Sequence, residues 1–353
     1  MSPFLFTVLA LSLAGSWLIT GQIRRFALAN SILDMPNARS SHAVPTPRGG
    51  GVAIVLLVLG GTLLASAVGV LKDDVAAAFI GGGGLVALIG WLDDRRGVHA
   101  AARAVVHTAA AVWAVYLVGG LPSYSTGAGH VQLGSIGGLL AVLGIVWATN
   151  LYNFMDGIDG IAGGQALCAG IFGGALLLLS GSVGLAAVAF LVAAATAGFL
   201  AWNWAPAKIF MGDVGSGFLG FSFGTLAVAS ENDGGVPLLL WVLLLGVFVV
   251  DATVTLVRRT LAGEVPYAAH RDHAYQRAVR SGMSHARVSG WVVVLNLGLG
   301  VVSVVAWLRP ALLLPLFAGA LLLLLVPYVM VERRKPMFQE GAEPRPTTPR
   351  RAP

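Results

Sequence analysis

Residues Gly184–Ala201 read GLAAVAFLVAAATAGFLA, eighteen residues with no charged side chain and Thr196 as the one hydroxyl among them. A helix rises about 1.5 Å per residue and the hydrocarbon layer is about 30 Å thick. About 20 such residues therefore cross it with every backbone group bonded internally. Working outward in both directions, ten more apolar stretches follow, at roughly 3–22, 50–71, 75–92, 103–121, 135–151, 164–181, 217–230, 236–256, 288–308 and 310–331. Those at 135–151 and 217–230 are short or glycine-rich. The expected fold is an all-α integral membrane bundle of about 11 transmembrane helices.

Composition supports the same class. Of 353 residues, 57% are hydrophobic and 11% are charged, against roughly 25% charged in soluble domains. That excludes a disordered chain, a disulfide scaffold and a soluble Rossmann or TIM-barrel enzyme. Cys168 is the single cysteine, so no intrachain disulfide forms. The 47 glycines suit helices that approach closely within a membrane. The sequence pI near 9.9 reads as basic loops facing an anionic leaflet, not as nucleic-acid binding. The first span has no basic n-region and is longer than an h-region, so it is expected to stay as an anchor.

Charge sets the direction. With eleven spans, one set of alternate loops carries 20 of the 22 Lys and Arg, and the other set carries only Lys72 and Arg309. Positive loops stay cytoplasmic, so the N-terminus is expected outside and the C-terminus inside. Residues 1–331 then form a single polytopic domain. Residues 332–353, with EPRPTTPRR, are expected to be a disordered basic tail.

The polar residues gather at the expected cytoplasmic ends. In NLYNFMDGIDG, Asn150, Asn153, Asp156 and Asp159 repeat every three residues. Over nine residues that spacing drifts half a turn around a helix, and Gly157 and Gly160 loosen the backbone. A helix ending in a loop that wraps a ligand is expected; solvated helix caps are the plainer reading. In KIFMGDVGSG, Asp213 is a lone carboxylate between glycines that let a backbone approach phosphate. A capped glycine turn is its plainer reading. WLDDRRG puts Asp93 beside Asp94, a pair suited to metal or to taking a proton from phosphate, with a snorkelling interface cluster as the alternative. In the first loop, Arg39, His42 and Arg48 can donate to phosphates, although positive loops are ordinary there. In HRDHAYQRAVR, a helix would put His270, His273 and Arg277 on one face, a basic stripe able to meet a nucleotide diphosphate or simply a solvated interfacial face. Asp251 and Arg258, seven apart, are expected to pair within the ninth span.

Together, DMPNARSSHAVPTPRGGG, WLDD, NLYNFMDGIDG, KIFMGDVGS and the histidine-containing last loop resemble the polyprenyl-phosphate N-acetylhexosamine-1-phosphate transferases. That superfamily also holds the phospho-N-acetylmuramoyl-pentapeptide transferases. The motifs run in the family's order over residues 34–277. The resemblance implies transfer of N-acetylhexosamine-1-phosphate from a UDP-sugar to polyprenyl (undecaprenyl) phosphate, with release of UMP. The setting would be a bacterial inner membrane with a cytoplasmic active site. It implies Mg²⁺, with Mn²⁺ as a substitute, held at Asp213 with Asn153. It places Asp93 and Asp94 beside the lipid phosphate, Asn150, Asn153, Asp156 and Asp159 at the nucleotide and metal, and Phe210 against uracil. His42, Arg48, Lys208, His270, His273 and Arg277 would bind substrate.

The PTPRGG form is closer to the N-acetylhexosamine branch, and the chain resembles a sub-branch that initiates O-antigen-type polysaccharides. One departure stands out: the family's histidine cluster is replaced here by His273-Ala274-Tyr275-Gln276. The pentapeptide transferase reaction is the nearest alternative, and a secondary transporter is the alternative of another class. Direct attack and a covalent Asp intermediate both stay open, and a homodimer is compatible with the sequence.

Overall fold

The computed structural model describes residues 3–35, 44–265 and 270–338. His42 and Arg39 lie outside the described residues, as does the tail from 339. Helices occupy all eleven apolar stretches. They are α1 (Pro3–Ala29), α2 (Gly51–Ala67), α3 (Asp73–Ala77) running through a π-turn (Ala78–Gly83) into α4 (Gly84–Arg96), α5 (Ala100–Leu117), α6 (Ile136–Met155), α7 (Ile161–Leu179) and α8 (Val183–Asn203). They continue with α9 (Asp213–Asn232), α10 (Leu238–Leu244), α11 (Gly246–Leu261), the short α12 (Ala274–Arg280), α13 (His285–Leu308) and α14 (Leu313–Arg334). Two small antiparallel ribbons accompany them: β1 (Leu33–Asp34) with β2 (Thr46–Pro47), and β3 (Ser123–Ser125) with β4 (His130–Gln132).

The span count is lower than the eleven expected. Among the described residues, eight helices are long and apolar enough to cross a membrane, and nine if the pair α10–α11, bent by 81°, is one span. Two stretches fall short for separate reasons. Helix α2 has 17 residues. Helix α9 is long enough but rich in glycine and serine, and every residue from Val214 to Ser230 is buried. A helix enclosed by protein on all sides has no lipid-facing surface to make apolar, so hydropathy under-reads it.

Around α9 the chain packs in two hydrophobic clusters, to both of which α9 contributes. Tyr152, Phe218, Phe223, Trp241 and Phe248 are all buried, with Tyr152 against both Phe223 and Phe248 at ring separations of 6.0 and 5.1 Å. Tyr152 keeps its hydroxyl satisfied by donating to the Ala162 carbonyl at 2.9 Å. Outward faces of α1, α5, α13 and α14 carry exposed Leu, Val and Trp, as lipid-facing helices should. The expected tail boundary at 331 falls inside α14, which runs to Arg334.

Candidate active site

Four connections meet at one end of the bundle: the segment before α2, the α4–α5 turn, the α6–α7 loop and the α8–α9 loop. Backbone bonds tie the first to the last. Phe210 N–H donates to the Pro47 carbonyl at 2.8 Å, and Gly50 and Gly51 donate back to Phe210 and Met211, each at 2.9 Å. Arg48, between these bonds, is thereby aimed at the acids.

Asp94 accepts the backbone N–H groups of Asp213 at 2.9 Å and Val214 at 3.2 Å. It therefore caps α9, where the helix's exposed amides favour an anion. Gly212 makes this possible: its φ is +79°, and a Cβ there would meet the Asp94 carboxylate. Arg48 then bridges two acids, with Nε on Asp94 at 2.9 Å and Nη2 on Asp213 at 2.7 Å. Arg103 bridges another pair through Nη1, binding Asp93 and, at 3.1 Å, the second oxygen of Asp213. Burial works against the Arg48 guanidinium, but Asp94, Asp213, Asp34 and Asp156 outweigh it and hold it charged.

Helix α6 ends at Met155, and the Asp156–Gly160 loop follows, as the glycines predict. Burial pushes the Asp156 carboxyl up to about 7; the carboxylates of Asp213, Asp94 and Asp159 add to this, and Arg48 opposes it. The loop is braced from several sides. Asp159 accepts from Ala207 N–H at 3.0 Å and faces His285 at 3.3 Å, and its carbonyl takes the Ser289 hydroxyl at 2.7 Å. Tyr275, nearly buried, donates its hydroxyl to the Phe154 carbonyl at 3.0 Å and packs on Gly157. Asn153 donates Nδ2 to Ser216 Oγ at 3.1 Å, while Asn150 turns back to the Val146 carbonyl of its own helix at 2.7 Å.

The donor set suits a hard divalent cation. Among the described residues, Asp93, Asp94 and Asp213, with Asp156 beside them, face two guanidinium groups, and Asn153 Oδ1 is a further oxygen donor. Among the described residues, however, no three acidic or imidazole groups form a ready metal cage.

Residues 76–231 match the family model described as glycosyl transferase family 4. A probable undecaprenyl-phosphate N-acetylglucosaminyl 1-phosphate transferase of Bacillus subtilis is 32% identical over 283 residues, covering 79% of this chain and 78% of that one. The chain belongs to glycosyl transferase family 4. A decaprenyl-phosphate N-acetylglucosaminephosphotransferase of Mycolicibacterium smegmatis is also 32% identical, over 329 residues covering 82% and 78% of the two chains. An undecaprenyl-phosphate alpha-N-acetylglucosaminyl 1-phosphate transferase of Escherichia coli K12 is 28% identical over 297 residues, covering 80% and 76%. This family member is thus a membrane transferase, which removes the transporter alternative.

Within this glycosyl transferase the last loop differs from the stripe its sequence suggests. Helix α12 starts at Ala274, so His270 and His273 precede it and share no helical face with Arg277. Their rings sit 4.9 Å apart instead. Asp251 caps α12, accepting Ala274 N–H at 2.8 Å and Tyr275 N–H at 3.0 Å, with His273 Nδ1 at 3.4 Å. Asp251 therefore does not pair with Arg258. Arg258 binds Glu332 of α14 instead, and so does the buried Arg277, which also donates to the Asp272 carbonyl at 2.9 Å. Lys208 is exposed, its ammonium over the Trp202 ring at 5.5 Å, and Phe210 is half-buried beside Arg48's loop. Arg103, Tyr275, His285 and Ser289 are residues of this site that the motifs did not single out.

Proposed function

We propose that the chain transfers an N-acetylhexosamine-1-phosphate, N-acetylglucosamine-1-phosphate as in the relatives' names, from the UDP-sugar to polyprenyl phosphate. A lipid-linked surface polysaccharide would begin with this step. The observation that carries the reading is the cluster of Asp93, Asp94, Asp156 and Asp213 with Arg48 and Arg103 at one end of the bundle. The reaction brings a lipid phosphate at the headgroup plane against a soluble nucleotide-sugar, so its groups must sit at a helix end, not at the bilayer midplane. The charge partition supports eleven crossings, an outer N-terminus and a cytoplasmic site.

In this reading an oxygen of the lipid phosphate attacks the β-phosphorus of the UDP-sugar. The bond from that phosphorus to the bridging oxygen breaks, and UMP leaves with the electron pair. Arg48 and Arg103 offset the charge of two anions brought together, and Asp93 orients the lipid phosphate or takes its proton. Asp213, Asn153 and Asp156 would hold Mg²⁺, which supplies charge neutralisation at the diphosphate. Phe210, half-buried beside Arg48's segment, would stack on the uracil ring. Asp159, with its backbone and His285 partners, keeps the Asp156 loop in place, and Arg277 ties the last loop to α14.

The raised Asp156 has a pH consequence. Folded Asp156 holds its proton up to about 7, whereas an ordinary carboxyl releases it near 3.8. The stability of the protonated form is complete below about pH 4 and is lost as pH rises through 7. In metal-free detergent solution, the melting temperature should fall across this window, and Asp156→Asn should flatten the fall. A profile unchanged by Asp156→Asn would contradict the assignment.

A donor panel tests the function itself. With undecaprenyl phosphate and Mg²⁺, UDP-N-acetylglucosamine should yield UMP and a lipid product of the corresponding mass. A product formed only from UDP-N-acetylmuramoyl-pentapeptide would move the chain to that branch, and no UMP from any donor would overturn the reading.

A further inference from the structure

Both oxygens of Asp213 are occupied by guanidinium groups: Oδ1 by Arg48 Nη2 at 2.7 Å and Oδ2 by Arg103 Nη1 at 3.1 Å. A cation arriving at this carboxylate meets a guanidinium on either oxygen, and their like charge favours release of one of the two, which are held differently. Arg48 is also fixed through Nε to Asp94, and it lies in a segment bonded on both sides to residues 210–211. Arg103 holds on by one nitrogen, Nη1, shared between Asp93 and Asp213. It enters from the first turn of α5, and the two arginine side chains are equally exposed, at 33% and 34%, so the difference lies in their bonds alone. The Nη1 nitrogen therefore sits between the Asp93 and Asp213 carboxylates.

We propose that Arg103 is an exchangeable counter-ion. It neutralises Asp213 while no divalent cation is bound, yields Oδ2 when one arrives, and remains tethered to Asp93 with free N–H groups for the nucleotide diphosphate. Charge bookkeeping supports this order. Four carboxylates face two guanidinium groups, so the cluster keeps a negative deficit that a divalent ion completes. Once the ion is in, the Arg103 N–H groups freed from Asp213 can turn to an incoming anion. A planar fork of N–H donors is well shaped for diphosphate oxygens.

The inference rests on the reading of Asp213 as a cation ligand, and the test separates the two. Mn²⁺ binding is measured by electron paramagnetic resonance on the purified full chain in detergent, without substrates. Arg103→Ala should bind Mn²⁺ about fivefold tighter, the size of a partly exposed ion pair's competition. Its kcat should fall on the order of tenfold or more with the lost diphosphate contact. Arg103→Lys, which keeps the charge, should bind Mn²⁺ within about twofold of the parent. A residue that only supports the fold would weaken binding and turnover together; opposite signs are the signature of exchange. Arg103→Gln, neutral and of similar size, serves if the alanine variant does not fold. Should Asp213→Asn bind Mn²⁺ like the parent, the ligand reading fails. Should Asp213→Asn lose the ion while Arg103→Ala and Arg103→Gln bind it no tighter than the parent, the exchange alone is overturned.

Discussion

Asp213→Asn should lower turnover by about 10²-fold or more, equivalent to about 2.7 kcal/mol of transition-state stabilisation. The variant is nearly isosteric, so the backbone bonds from Asp213 and Val214 N–H to Asp94 stay. What changes is charge. In the parent, Asp213 accepts from Arg48 and Arg103 on separate oxygens, and it is the one acid that both guanidinium groups share. An amide there turns N–H donors toward at least one guanidinium, and the cluster loses a negative charge among fixed positive ones. The melting temperature without metal should hold or rise, because one of four crowded carboxylates is gone. Loss of function with retained stability is the pattern of a site built against the fold's own preference. UMP release from the purified variant is the measurement. Near-parental turnover in a folded sample would remove Asp213 from the chemistry.

Much of this arrangement is legible in the linear sequence, because acids are rare in so apolar a chain. The stretch NLYNFMDGIDG announces a helix that stops and a loop that carries ligands, and α6 stops at Met155. WLDD and MGD both sit where an apolar run begins or ends, and the fold joins them through Asp94 and the start of α9. The residues that escaped notice are those whose partners are far away. Arg103 counts as one more basic residue at a span end until the chain returns 110 residues later with Asp213. Asp251 and Arg258 occupy one face of α11, but a shared face does not choose a partner. Asp251 meets the free amides of α12, a stronger attraction for a buried carboxylate than a guanidinium already matched by Glu332. Arg277 looks like a substrate cation until α14 covers it. The span count is hard to read for the same reason: an apolar run shows that a segment avoids water, not whether lipid or protein surrounds it, and α9 is surrounded by protein.

Gly90→Ala should be a severely damaging single-methyl change near the site, although Gly90 carries no chemistry. Gly90 lies on α4, one turn before Asp93 and Asp94, against the first residues of α9. A Cβ at this position would stand 2.5 Å from the Asp213 carbonyl oxygen, 2.6 Å from its carbon and 2.7 Å from Val214 N. All three are backbone atoms, so no side chain can rotate away and the two helices must separate. Overpacking of this kind typically costs about 1–3 kcal/mol, and more where only backbone can yield. The functional cost should exceed the stability cost. The same contact sets the register in which Asp94 caps Asp213 and Val214, and a shift of about 1 Å in such geometry can cost on the order of 10²-fold in rate. Gly60, with open space where its Cβ would be, is the control on α2, and Gly60→Ala should leave turnover near the parent's. Comparing melting temperature and UMP release across both variants separates the effects. A Gly90→Ala protein with parental activity would mean that α4 and α9 can slide apart without consequence, and the acid cluster would then not depend on their contact.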